Sequence, residues 1–140
     1  MASISRVQLH DLAEAKLADA QLLFANQRFS NAYYLFGYSV EIALKACVAK
    51  HFVADALPDK TLAQKIFTHR FPELVGLAGL TVHLDTTMKA DGVFKSHWLA
   101  VNGWSEEARY ASFDEIECKT MKYAILDPDH GVMRWLKQYW

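Results

Sequence analysis

Apolar and small residues recur at three-four spacing through residues 7–24. Leu9, Leu12, Ala13, Lys16, Leu17, Ala20 and Phe24 approximate one stripe, with Asp11, Glu14, Asp19 and Gln21 mostly outside it. That period predicts an amphipathic helix, supported by good helix formers such as Ala13, Glu14, Ala15 and Lys16. Residues 26–30 interrupt the pattern, and Ser30 or Asn31 is the expected N-cap of a second helix. That second helix, residues 30–51, is apolar around nearly its whole circumference, from Ala32, Tyr33 and Tyr34 to Ala46, Cys47 and Val48. Such a helix is either central in its fold or covered on its outer side by a partner chain. Gly37 costs it roughly 1 kcal/mol relative to Ala, so close packing against the first helix is its expected use.

Beyond residue 51 the segments shorten. Pro58-Asp59 marks a connection, residues 61–67 and 72–78 predict short helices with Pro72 in a first turn, and residues 81–90 predict another, stopped near Asp91-Gly92. Residues 93–113 lack a clean period. Asn102-Gly103 signals a turn without alternating strands beside it, and Ser105-Glu106-Glu107 resembles the start of a helical turn. A partly irregular crossover carrying Trp98, Trp104, Arg109 and Tyr110 is expected here. Ser112 or Asp114 then starts a helix with Ile116, Met121 and Ala124 or Ile125 inward, and Asp127-Pro128 predicts a cap with proline at the first position of a last helix. The stripe Val132, Met133, Trp135, Leu136, Tyr139 and Trp140 should dock the C-terminus.

The length of 140 residues suits one mainly helical domain. With 52% hydrophobic and 22% charged residues the chain is globular rather than disordered. Fifteen Lys and Arg against sixteen Asp and Glu leave a formal charge of −1, which lacks the bulk footprint of a non-specific nucleic-acid binder. Cys47 and Cys118 are too few for a disulfide framework and suit buried thiols in a reducing compartment, with a single bridge between them left open. Residues 1–19 carry charges every few positions and no apolar leader core. The most apolar stretch, residues 32–49, contains Glu41 and Lys45 and falls short of a membrane span. No membrane association and a cytoplasmic location are expected.

Glu41 is the foremost site candidate, because a carboxylate among Tyr34, Tyr38, Val40, Ile42, Leu44 and Cys47 needs a positive partner or several donors. Lys45 stands at the favourable i,i+4 position, and Arg109 could clamp the carboxylate from the crossover. Trp104 and Tyr110, beside Arg109, could line a pocket, although core plugging weighs more for the tryptophan. Lys65, His69 and Arg70 form a weak basic patch near Phe67 and Phe71, more ordinary as a solvated loop edge than as a phosphate site. His83-Leu84-Asp85 lacks a third metal ligand. With no H-E-x-x-H, phosphate loop, dinucleotide fingerprint or serine elbow, neither a metal nor a cofactor is expected.

The run Arg28-Phe29-Ser30-Asn31-Ala32-Tyr33-Tyr34-Leu35-Phe36-Gly37-Tyr38-Ser39-Val40-Glu41-Ile42-Ala43-Leu44-Lys45-Ala46 resembles the signature helix of HEPN domains. It joins a tyrosine-bearing helix entry, a small residue, the Glu and an apolar-x-Lys ending in one register. The resemblance implies a single all-α domain over 1–140, an up-and-down bundle of four long helices with short additions, and a homodimer. It also implies a role in toxin-antitoxin, defence or stress systems, either beside a nucleotidyltransferase-type partner or on nucleotide or RNA. Ribonucleases of that family carry an Arg followed a few residues later by a His, usually on a late helix, and none of Arg6, Arg28, Arg70, Arg109 or Arg134 meets that spacing. The nearest pair, Arg6 and His10, is too closely spaced and lies at the wrong end of the chain. The leading expectation is a non-catalytic binding or accessory module with Glu41, Lys45, Arg109, Tyr110, Trp104 and Tyr38 as binding or anchoring residues. The alternatives are a divergent metal-independent ribonuclease or nucleotide-processing enzyme with Glu41, Arg109 and a histidine such as His97 in one cleft, and a structural oligomerisation subunit.

Overall fold

The computed structural model describes residues 3–140. Met1 and Ala2, the first positions of the stretch read as lacking a leader, lie outside the described residues. Helix α1 spans Arg6–Ala25. Its start is a capping box, in which Ser5 Oγ accepts the Gln8 N–H at 3.1 Å and Gln8 Oε1 accepts the Ser5 N–H at 2.8 Å. At its end the amides of Asn26, Gln27 and Arg28 donate back to carbonyls of its last turn, and Gln27 takes φ 61°, the left-handed conformation that lets the chain reverse at once.

Helix α2, Phe29–Ala49, therefore begins with no room for a Ser or Asn cap. Its N-cap is Arg28, without a side-chain bond, which corrects the expectation for Ser30 and Asn31. Ser30 Oγ instead accepts the Phe113 N–H at 2.9 Å and ties the helix entry to a distant segment. The α1–α2 pair is antiparallel, with Phe24 against Phe29 and Lys16 over the ring of Tyr38. Buried Ala13, Leu17 and Ala20 form the α1 side of this seam.

Six further α-helices follow among the described residues: α3 (Lys60–Lys65), α4 (Phe71–Leu77), α5 (Thr81–Ala90), α6 (Gly92–Asn102), α7 (Glu115–Leu126) and α8 (Val132–Leu136), with a 3-10 helix at Glu106–Tyr110 between α6 and α7. No strand occurs among the described residues, and the fold is the expected all-helical bundle with short additions. Helix α2 is its centre. It contacts α1, α4, the 3-10 helix, α7 and α8, so the apolar circumference is covered within one chain and the central solution holds. Phe36, Leu44, Phe71, Phe94, Ile125 and Leu136 are fully buried in the shared core, each a favourable contribution of roughly 1.5–3 kcal/mol.

Three further sequence expectations change. Much of residues 93–113 is regular, because Asp91 accepts the N–H groups of Val93 and Phe94 at 3.0 Å each and starts α6, whose buried face is Phe94, Trp98 and Val101. The Asp127-Pro128 step ends α7 without starting the last helix. Asp127 Oδ1 holds a turn by accepting the amides of Asp129 at 2.9 Å and His130 at 3.2 Å, and α8 begins only after Gly131. Finally, Gly37 packs against Trp104 and not α1, since a Cβ there would collide with the indole ring. The C-terminus docks as expected, with Trp140 stacked on His10 at 4.1 Å between ring centroids.

Candidate functional site

Glu41 is 1% exposed on the central helix. Leaving a carboxylate there without partners would cost several kcal/mol, so both oxygens are engaged. Lys45, one turn on along α2, brings Nζ to 3.4 Å from Oε2, as its i,i+4 position suggested. The second partner is His69, whose Nδ1 donates to Oε1 at 2.9 Å. His69 lies in the turn between α3 and α4. Around it, Thr68 Oγ1 accepts the Arg70 N–H at 3.2 Å and donates to Glu73 at 2.5 Å, while buried Phe71 anchors the start of α4.

These contacts dissolve the weak basic patch. His69 turns to Glu41, Arg70 pairs with Glu73 at 3.7 Å, and Lys65 is left exposed at the end of α3. Arg109, offered as an alternative clamp for Glu41, is exposed and lies over the ring of Tyr110 at 4.9 Å. Tyr110 is itself 81% exposed. Trp104 is a core plug. Its indole lies against the Gly37 backbone and stacks on Phe71 at 5.4 Å and Tyr34 at 5.9 Å, while its Nε1 is buried without a hydrogen-bond partner. Tyr38 is half-buried between Tyr34 and Lys16, and burial first, then the nearby Glu41 charge, raises its hydroxyl above the ordinary 10.0.

Of the candidate residues, the fold thus unites Glu41, Lys45 and His69, with Tyr38 nearby, and leaves Arg109 and Tyr110 outside. His97 does not join them either. Its Nε2 donates to Asp127 Oδ2 at 2.9 Å, in a separate cluster where His130 Nδ1 donates to Asp91 Oδ2 at 2.6 Å. The amide of Asp129, then His97, hold the Asp127 carboxyl down to about 2. The Asp91 carboxylate raises His130 above its usual 6.5.

No group of three or more His, Cys, Asp or Glu residues among the described residues is arranged to hold a metal. Cys47 and Cys118 are free and buried, and burial pushes their thiols up to about 12 and about 11. Neither is a nucleophile at neutral pH. No helix among the described residues is long and apolar enough to cross a membrane.

One feature near Glu41 had no single-residue signal in the sequence. Lys45 also lines a cleft of about 580 Å³ between the start of α1, the end of α2 and the end of α3. Its position is set by the hairpin register, because an antiparallel α1–α2 pair sets Arg6 and Leu9 across from Lys45 and Ala49. Set against protein-family models, curated proteins and solved structures, the chain matches none.

Proposed function

We propose that the chain is a HEPN-like helical module that binds or assembles rather than catalyses. In this reading it works as a cytoplasmic homodimer, beside a nucleotidyltransferase-type protein or on nucleotide or RNA, in a toxin-antitoxin, defence or RNA-linked stress response. The observation that carries the reading is the commitment of Glu41, whose two carboxylate oxygens are taken by Lys45 and His69 inside the bundle. A carboxylate so engaged anchors a fold and sets the charge beside a cleft. That His97 pairs with Asp127 and Arg109 lies over Tyr110, neither with Glu41, also favours binding, since phosphodiester chemistry of the ribonuclease kind needs a phosphate-binding cation and an acid/base group together.

The test is incubation of the full chain with structured RNA and with nucleotides at several salt concentrations, following both binding and turnover. Salt-dependent binding without turnover is the expected result. Turnover that vanishes in Glu41→Gln while the fold survives would overturn the non-catalytic part.

A second reading is favoured by one contact. The His69 side chain is 44% exposed and oriented by a buried carboxylate, the arrangement by which an imidazole is readied as a general base. If the chain is a divergent ribonuclease or nucleotide-processing enzyme, turnover should disappear in His69→Gln but persist in His97→Gln. Equal activity in both variants would remove this reading.

A further inference from the structure

We propose that the cleft beside Lys45 binds a small amphipathic carboxylate, with an apolar body held among Leu9, Phe52, Ile66 and Phe67 and an anionic head held by Arg6 and Lys45. The inference deepens the binding-module reading and rests on it. About 580 Å³ falls within the range of small-molecule pockets and is concave on three helices' ends, so a compact ligand fits it better than a flat protein surface does.

The lining decides the ligand's chemistry. Most of it is apolar, and among the described residues its only charged ones are the two cations, with no acidic residue on the wall. Lys45 donates to Glu41 but its ammonium has three donors, and its side chain remains 21% exposed. Arg6 forms no ion pair among the described residues, so its planar fork is free for a carboxylate. Around this charge stand Ile4, Phe52 and Phe67, apolar side chains in water, Phe67 at 74% exposed. An apolar ligand would cover them and gain their burial.

Other ligand classes fit less well. A nucleotide carries base and sugar groups that need several donors and acceptors, whereas among the described residues Ser3, Arg6 and Lys45 are the only polar ones on the wall. A neutral apolar molecule would leave Arg6 desolvated without a counter-charge, since Glu41 compensates Lys45 alone. An organic cation would meet Arg6 and Lys45 directly.

The test uses the full chain and decanoate, below its micelle-forming concentration, by calorimetry and chemical-shift mapping, with decanol and adenosine monophosphate in parallel. Decanoate should bind and shift amides around Leu9, Ala49 and Phe67. Decanol should bind about tenfold more weakly or worse, and Arg6→Glu should weaken decanoate by about tenfold or more, the loss expected when a bond to a charged group is removed. Phe67→Ser, at an exposed position where folding is safe, should weaken decanoate as well. Decanol binding as tightly as decanoate, unchanged affinity in both variants, or a footprint away from the cleft would each overturn the proposal. The two readings fail separately. Absence of decanoate binding alongside nucleotide or RNA binding elsewhere removes the amphiphile and leaves the module, whereas RNA turnover with decanoate binding intact removes the non-catalytic reading and leaves the cleft.

Discussion

At Glu41 the carboxylate lies inside the bundle and its partners are side chains, whereas at Asp127 the carboxylate sits at a helix end and takes two backbone amides as well as His97. Both regions join histidine to a carboxylate. Backbone amides are fixed by the fold, so the Asp127 cluster is a rigid fastening of the α7–α8 turn. Lys45 and His69 hold Glu41 through rotatable side chains, and both keep part of their surface in water. A group held that way can rearrange toward a ligand without unwinding a helix. The difference explains why the Glu41 side, and not the larger histidine cluster, is the better candidate for recognition.

The largest effect should come from stripping Glu41 of both partners. Lys45→Met combined with His69→Phe leaves an unpaired interior carboxylate and should cost about 3–5 kcal/mol in urea denaturation, and adding Glu41→Leu should recover most of the loss. A loss no greater than that of an exposed ion pair would erase the contrast between the two regions.

The next effect sharpens the other side. The folded Asp127 carboxyl lies at about 2, below its usual 3.8, so its contribution to stability is complete above that ordinary value and is lost as pH falls toward about 2. Asp127→Asn should lower the melting temperature at neutral pH and flatten its decline in this acid window. His130 has the opposite sign. With its folded value raised above 6.5, its contribution is complete below 6.5 and is lost as pH rises through the raised value, so His130→Gln should remove a smaller, alkaline-side decline. A melting profile with the same shape in both variants as in the parent would mean that neither pair fastens the fold. The smallest effect should come from Arg109→Ala, where an exposed guanidinium over an exposed tyrosine contributes within about 0.5 kcal/mol by thermal unfolding.

Long-period features were the legible ones. The stripe of α1 and the apolar run of α2 are local properties of the chain, and these helices, like α5, lie within two residues of expectation at each end. The Lys45 partner of Glu41 was equally local. His69 was not, because it comes from a turn 28 residues away, and nothing in its neighbours Thr68 and Arg70 points to an interior acid. Arg109 carried the better chemistry for a clamp but sits where the 3-10 helix presents it to water. The α6 helix was obscured by Asp91-Gly92, a pair that reads as a stop and here both stops α5 and starts α6. The cleft required knowing that Ile66 and Phe67 fold back over the α1–α2 hairpin, which no period in the sequence encodes.

Asp91 also sets the phase between two helices. One residue closes α5 through its amide, which donates to Thr87 at 2.9 Å, and opens α6 through its carboxylate, so the two helices share a joint with no slack. A single residue inserted there would turn α6 by about 100° about its own axis and swing Phe94, Trp98 and Val101 out of the core. Change in length is therefore forbidden at this joint, and the natural sites for insertion lie in segments such as 52–58, where no helix must keep its angle to the next.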